Sequence, residues 1–233
     1  MLLQLFHEES CTYTYIVADD ATREAVIIDP VLECVQRDRA LLAEHGLRLR
    51  WTLDTHVHAD HVTGAAALKQ ALGASTCVCG DCGTWGYDRH LEDGETVAFG
   101  TESLRVIATP GHTPGSVCYL WREALFTGDT LLIAGCGRTD FQHGSAEELY
   151  RSITTRLFTL DDGIRIYPGH DYHGRKSSTV GEEKRTNPRL AGRTLEQFVA
   201  VMANLGLPPP RRIHEAVPAN MAGGVPAAAN DPA

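Results

Sequence analysis

Thr55-His56-Val57-His58-Ala59-Asp60-His61 gathers four groups able to bind a metal or move a proton into seven residues. The histidines are spaced i, i+2, i+5, which does not line one face of a helix, so a loop wrapped around an ion is the better geometry. Three further residues of ligand type stand in similar surroundings. His112 lies in Thr109-Pro110-Gly111-His112-Thr113-Pro114-Gly115-Ser116, Asp129 in Thr127-Gly128-Asp129-Thr130, and His170 in Pro168-Gly169-His170-Asp171. Imidazole and carboxylate together suit Zn²⁺, Fe²⁺ or Mn²⁺.

The elements around these residues explain how they could meet. Leu49–Leu53 reads as a short buried strand, and Val62 to Leu72, rich in Ala and Leu, reads as a helix, so the His/Asp run occupies a strand-to-helix turn. Leu104–Ala108 precedes the His112 segment, Ala124–Phe126 precedes Asp129, and Ile164–Tyr167 precedes His170. Each apolar run ends in a glycine-containing turn followed by the His or Asp. A random cluster on a solvated loop is the competing reading, but it does not account for four placements at strand ends. Strand ends along one sheet edge are where such architectures collect functional groups.

In this order, the set Thr55 to His61, His112, Asp129 and His170 resembles the metal-binding motifs of the metallo-β-lactamase superfamily. The resemblance covers most of residues 1–170. It implies an α+β fold, the αββα sandwich, here with a short helical C-terminal tail. That fold hosts many reactions, so it does not by itself name the chemistry.

Composition bounds the alternatives. A chain of 233 residues suits one large domain with an appended tail. Its formal charge of −9 opposes nucleic acid or an anionic membrane as the main partner. No apolar run reaches the length of a membrane span. Met1–Phe6 is too short for a signal sequence and is followed by Glu8 and Glu9. The expected location is therefore cytoplasmic, or an organelle matrix if a presequence has been removed. Seven cysteines, an odd number without a signal, suggest reduced thiols.

Strands are expected near 2–7, 12–18, 25–29, 49–53, 75–79, 96–99, 104–109, 116–121, 124–127 and 164–167. Helices are expected near 32–45, 62–72, 145–158, 181–185 and 194–205, with Pro208-Pro209-Pro210 as a stop. One domain, tail included, spans 1–224, and 225–233, rich in Ala and Pro, reads as a disordered end.

Two further segments narrow the resemblance. Gly135-Cys136-Gly137-Arg138-Thr139-Asp140-Phe141-Gln142, with Asn187-Pro188-Arg189-Leu190, Val217-Pro218-Ala219-Asn220-Met221 and His170-Asp171-Tyr172-His173-Gly174, is similar to the persulfide dioxygenases. This likeness implies one Fe(II) per chain on His56, His112 and Asp129, leaving positions for water, O₂ and substrate. It implies that glutathione persulfide and O₂ yield sulfite and glutathione. His58, Asp60, His61 and His170 would then orient the ligands and tune the iron. Those same four could instead complete a second site, making a di-zinc hydrolase of S-acylglutathione thioesters like glyoxalase II. By resemblance Arg138, Tyr172 and Arg189 are the candidates for holding glutathione, because a guanidinium fork grips a carboxylate in two places. The alternative is that Arg138 braces its loop and Arg189 caps a helix. A homodimer through the tail or an exposed sheet edge is also implied.

Cys77-Val78-Cys79-Gly80-Asp81-Cys82 offers three thiols but not the paired spacing of a zinc ribbon, and reads as ordinary thiols at a strand end. Cys136 is expected to pack in its turn, and Cys11, Cys34 and Cys118 to lie in the core. His173 is a candidate to line the pocket. A member stripped of metal and acting only as a scaffold is opposed by the complete ligand set.

Overall fold

A computed structural model describes residues 1–225; of the end expected to be disordered, 225–233, all but Val225 lies outside them. Two six-stranded sheets pack face to face. The first runs in sequence order through β1 (Leu2–His7), β2 (Thr12–Ala18), β3 (Glu24–Ile28), β4 (Arg48–Leu53), β5 (Ser75–Cys79) and β6 (Arg89–Leu91). The second is built from β7 (Thr96–Phe99), β8 (Glu102–Ala108), β9 (Val117–Trp121), β10 (Ala124–Gly128), β11 (Arg165–Pro168) and β12 (Ser178–Thr179).

Alternation along the strands divides their side chains between two cores. Tyr13, Tyr15 and Val17 of β2 meet Val106, Tyr119 and Phe126 of the other sheet in the central layer. Ile16 and Ala18 point outward under α1 (Val35–Glu44) and α2 (Ala65–Leu72), joined there by Val35, Leu42 and Leu68. The outer face of the second sheet, Ile107, Leu125 and Ile166, is covered by Leu149, Ile153, Val180, Phe198 and Met202. These come from α3 (Ala146–Ser152), the wide turn that continues it, α4 (Val180–Thr186) and α5 (Leu195–Ala203). This is the expected αββα sandwich. Both faces of each sheet are buried, so the central strands read as nearly continuous apolar runs.

Most boundaries agree with expectation, and four elements do not. β6 is Arg-His-Leu and β12 only Ser-Thr, too short and polar to carry a period. The sixth helix, α6 (Ile213–Met221), contains Pro218, which ordinarily argues against a helix interior. Its Ala216 and Ala219 pack on Val62, so burial against the metal loop overrides the local penalty. The long helix expected at 145–158 is α3 followed by a wide turn at Ile153–Leu157, closed by the Phe158 N–H donating to Ile153 O at 2.8 Å.

Both sheets present strand ends at one rim. β3 and β4 run parallel, as do β10 and β11. β8 and β10 share that sense because each pairs antiparallel with β9. The rim is stitched across the sheets: Val117 N–H donates to Thr55 O at 2.8 Å, and Tyr13 N–H donates to Gly169 O at 2.8 Å. The buried Tyr15 hydroxyl donates to Pro168 O at 2.5 Å and that of Tyr119 to Asp54 O at 2.9 Å. No helix among the described residues is long and apolar enough to cross a membrane.

Candidate metal centre

The four predicted segments converge on this rim. The ligand atoms of His56, His112 and Asp129 lie within 4.8 Å of one another, and so do those of His58, Asp60 and His61. His112 Nε2 is 3.6 Å from Asp129 Oδ2. His170 Nε2 is 3.5 Å from Asp129 Oδ1 and 3.7 Å from Asp60 Oδ2. Asp129 therefore stands between the His56/His112 set and the His170/Asp60 set.

Outer hydrogen bonds decide which imidazole nitrogen faces inward. The Thr55 hydroxyl has one proton and donates it to Asp29 Oδ2 at 2.9 Å, so it accepts from His56 Nδ1–H at 3.0 Å. His112 Nδ1–H donates to Arg138 O at 2.7 Å. His170 Nδ1–H is 3.2 Å from the Ser10 and Cys11 carbonyls. Each bond leaves an Nε2 lone pair for a metal, the arrangement by which protein sites fix a ligand tautomer. Asp129 Oδ1 and His61 Nε2 are buried and have no hydrogen-bond partner among the described residues. Buried polar atoms rarely stay unpaired, so this donor set fits a cation.

Charge tells the same story. Burial, with the charges of His58 and His112, holds His56 well below the ordinary imidazole range. Burial also lowers His61, against the pull of Asp60. Burial opposes the charge of His170, but the carboxylates of Asp129 and Asp60 outweigh it and raise its pKa. Burial likewise works against an ionised Asp60, yet His61 and His170 keep it well below the usual carboxylate range. The carboxylates set up a field that favours positive charge.

His58 belongs to a different network. Its Nε2–H donates to Asp29 Oδ1 at 3.1 Å. Asp29, 1% exposed, also accepts from Thr55 N–H at 2.7 Å and from the Thr55 hydroxyl. It adopts φ +49°, a backbone conformation uncommon outside glycine. Beside it, burial and then the Asp29 charge push the Asp54 carboxyl up to about 7 against the pull of His58. Asp54 accepts from Tyr87 at 2.7 Å and from Thr63 at 2.9 Å. A second brace comes from the tail, where Asn220 Nδ2 donates to His58 O at 2.9 Å and His61 O at 2.8 Å, and its Oδ1 accepts from Thr63 N–H at 2.8 Å. Sequence reasoning assigned no role to Asp29, Asp54 or Asn220. A lone Asp closing the apolar run Ala25–Ile28 was the signal available for Asp29, and the Val217–Met221 motif the one for Asn220.

Two glycines let the pieces close. Gly128, at φ +47°, lies so near Thr55 that a Cβ would overlap its hydroxyl. A Cβ at Gly137 would overlap Asp129 O and the His112 ring, so the Gly-Cys-Gly-Arg turn needs glycine there to pass behind the ligands.

Above the metal residues opens a cavity of about 420 Å³, bordered by Arg138, Phe141, Tyr172, Arg189, Leu207, Pro208 and Pro210. The prolines expected only to stop a helix thus form part of its wall. Arg138 lines this space with its fork engaged: Nε and Nη2 donate to Asp140 at 2.6 Å each, and Nη1 donates to Pro208 O at 2.6 Å. It braces loop and tail, which was the alternative reading. Arg189 is less committed, since among the described residues its side chain is held mainly by Nη1–H donating to Cys136 O at 2.6 Å. It does not cap a helix through that bond. Tyr172, 67% exposed, stacks on His170 with centroids 6.1 Å apart and planes at 4°. His173 is exposed and outside the lining.

Several cysteine expectations need correction. Cys79 and Cys82 are joined as a disulfide, Cα–Cα 6.1 Å, rather than being separate thiols. Cys11 and Cys34 are partly exposed because one sits in the β1–β2 turn and the other in a short 3₁₀ turn. Cys77, Cys118 and Cys136 are buried, and Cys136 packs as expected.

Comparison with known proteins places these features. The Metallo-beta-lactamase superfamily model matches residues 9–170. The chain is 50% identical over 227 residues to "Persulfide dioxygenase ETHE1, mitochondrial" of Bos taurus, covering 97% of this chain and 89% of that protein. The crystal structure of ETHE1 from Myxococcus xanthus superposes with a TM-score of 0.94 at 50% identity, covering 96% of this chain and 99% of the other. A hydroxyacylglutathione hydrolase of Anaeromyxobacter dehalogenans is 44% identical over 162 residues, 69% of this chain and 61% of that protein.

Proposed function

The chain belongs to the metallo-β-lactamase superfamily, and we propose that within it this enzyme is a persulfide dioxygenase that converts glutathione persulfide. The observation that carries this reading is identity of 50% over 97% of the chain to a protein of that name, a span that includes both the metal loop and the tail. Glutathione persulfide, O₂ and water give glutathione, sulfite and two protons; the persulfide loses four electrons and O₂ takes them up.

We assign His56, His112 and Asp129 as the residues that hold one Fe(II). Two histidines and a carboxylate on one side are the donor set of non-haem oxygenases, and iron held there supplies O₂ activation and open positions for both reactants. Arg189 anchors a glutathione carboxylate and Tyr172 borders the tripeptide, while Arg138 holds the wall in shape. Phe141, Leu207 and Pro208 supply the apolar part of the wall beside the persulfide. His170, between Asp129 and Asp60, is placed to take a proton released as sulfite forms.

Replacing Arg189 with glutamate is expected to raise KM for glutathione persulfide about 10–100-fold, from loss of a charge-assisted bond of ~1.5–3 kcal/mol. Iron content and kcat should stay near wild type. Unchanged KM in an iron-replete variant would end the assignment.

One observation favours a second reading. Asp129 turns Oδ2 toward His112 and Oδ1 toward His170, which also suits a bridge between two zinc ions in a thioester hydrolase. Oxygen uptake by iron-reconstituted protein separates the two. Rapid uptake with matching sulfite is expected. No uptake from iron-replete protein, with turnover of S-lactoylglutathione by the zinc form, would favour the hydrolase. The homodimer and a cytoplasmic or matrix location are part of the proposal; sedimentation velocity on the same sample checks the first and cell fractionation the second.

A further inference from the structure

The Cys79-Gly80-Asp81-Cys82 segment is a chemically capable motif that the metal centre does not use. Cys79 ends β5, and Cys82 follows across a single 3₁₀ turn, which brings the two sulfurs together. Cys77 takes no part: it is buried in the inter-sheet core, and burial pushes its thiol up to about 12. Cys82 is half-buried and borders a cavity of about 300 Å³ together with Thr113 and Pro114. Cys79 borders a different one, of about 460 Å³, and Pro114 and Gly115 line both.

Gly115 joins this pair to the metal centre. A Cβ there would overlap both sulfurs, and Cys82 Sγ lies 3.7 Å from Gly115 O. Gly115 belongs to the turn that carries His112, closed by Thr113 N–H donating to Ser116 Oγ at 3.1 Å and Ser116 N–H donating to Thr113 O at 3.3 Å. Two separate thiols need more room than a bonded pair, because nonbonded atoms repel well before bonding distance. With Gly115 against both sulfurs, reduction must push on the His112 turn or swing Cys82 into its cavity.

We propose that Cys79 and Cys82 form a reversible dithiol–disulfide site that exchanges with glutathione and its disulfide, and that the His112 turn responds to its state. In the oxidising direction, the Cys82 thiolate attacks one sulfur of glutathione disulfide and releases one glutathione, which takes up a proton. Cys79 gives up its proton and attacks the Cys82 sulfur, which releases the second glutathione. The protein loses two thiols, and one glutathione disulfide becomes two glutathiones. Short-range pairs of this kind in reducing compartments are characteristically transient and redox-sensing.

Full-length metal-loaded protein is equilibrated in glutathione buffers of graded ratio, trapped with a maleimide, denatured and weighed intact. Of the seven cysteines, all should be labelled at the reduced end and five at the oxidised end, with peptide mapping assigning the lost pair to Cys79 and Cys82. Metal retention during dialysis against a chelator should fall at least twofold on reduction. The Cys79→Ser/Cys82→Ser double variant should show no redox dependence of retention. Cys79→Ser alone should strand glutathione on Cys82 as an intact-mass adduct, which keeps the test open if the double variant folds poorly. Seven labels at every ratio would overturn the exchange site. Equal redox response in wild type and double variant would overturn its link to the His112 turn.

Discussion

Asp129→Asn is expected to lose its bound iron and to reduce oxygen uptake by more than the ~10–100-fold that removal of a ligand's outer partner costs. The carboxylate is the one anionic group in the His56/His112/Asp129 set. An amide keeps the shape but offers no charge to a divalent ion and cannot replace the field that Asp129 casts on His170. His56→Ala should behave alike. Asp60→Asn and His170→Ala give the contrast: if one iron sits on the triad, each should retain most of its metal and fall only ~10–100-fold in activity. Metal content by elemental analysis, read beside oxygen uptake, checks both halves. Full metal loading in Asp129→Asn would remove the triad. Equal metal loss in the Asp60 and Asp129 variants would instead point to a shared dinuclear site.

The second large effect is expected at Asp29, which hydrogen-bonds to His58 and Thr55 and lies outside the His56/His112/Asp129 set. Asp29→Asn leaves His58 buried beside a neutral group and weakens the hold on both the backbone and hydroxyl of Thr55. Breaking one side of a buried charged pair costs ~3–5 kcal/mol. Because Thr55 orients His56, metal affinity should also drop ~10–100-fold. Urea unfolding of the metal-free protein and a competitive metal titration measure the two losses. Stability and affinity both equal to wild type would dismiss the network. The pair also makes stability depend on pH. Burial opposes charge on His58, but Asp29, then Asp54 and Asp60, raise its pKa to about 9. The unfolded histidine titrates near ~6.5. Its contribution is therefore complete below that value and is lost as pH rises from there through about 9. In Asp29→Asn that slope should flatten.

These two predictions differ in where they could be read. His56, His112 and Asp129 were legible as candidates because each sits a few residues beyond an apolar strand-like run, the last two directly after a glycine, and strand ends pointing the same way must share a rim. The sandwich itself was legible for the same local reason, since periods of two and of three to four residues are properties of neighbouring positions. Elements too short to show a period, β6 and β12, were not, nor was α6, where tertiary packing overrides Pro218.

What the sequence alone determined is the set of groups that could hold a metal and the order of elements that carries them. The tertiary structure decided how those groups are held. Asn220 reaches back 162 positions to the His58 carbonyl. Arg138 is tied by Pro208, 70 positions away, to the wall it shares. Asp29 meets the metal loop 26 residues downstream. Such partners follow no spacing rule. A buried hydrogen bond forms wherever the packed chain brings donor to acceptor, and that distance exists only once both cores have closed.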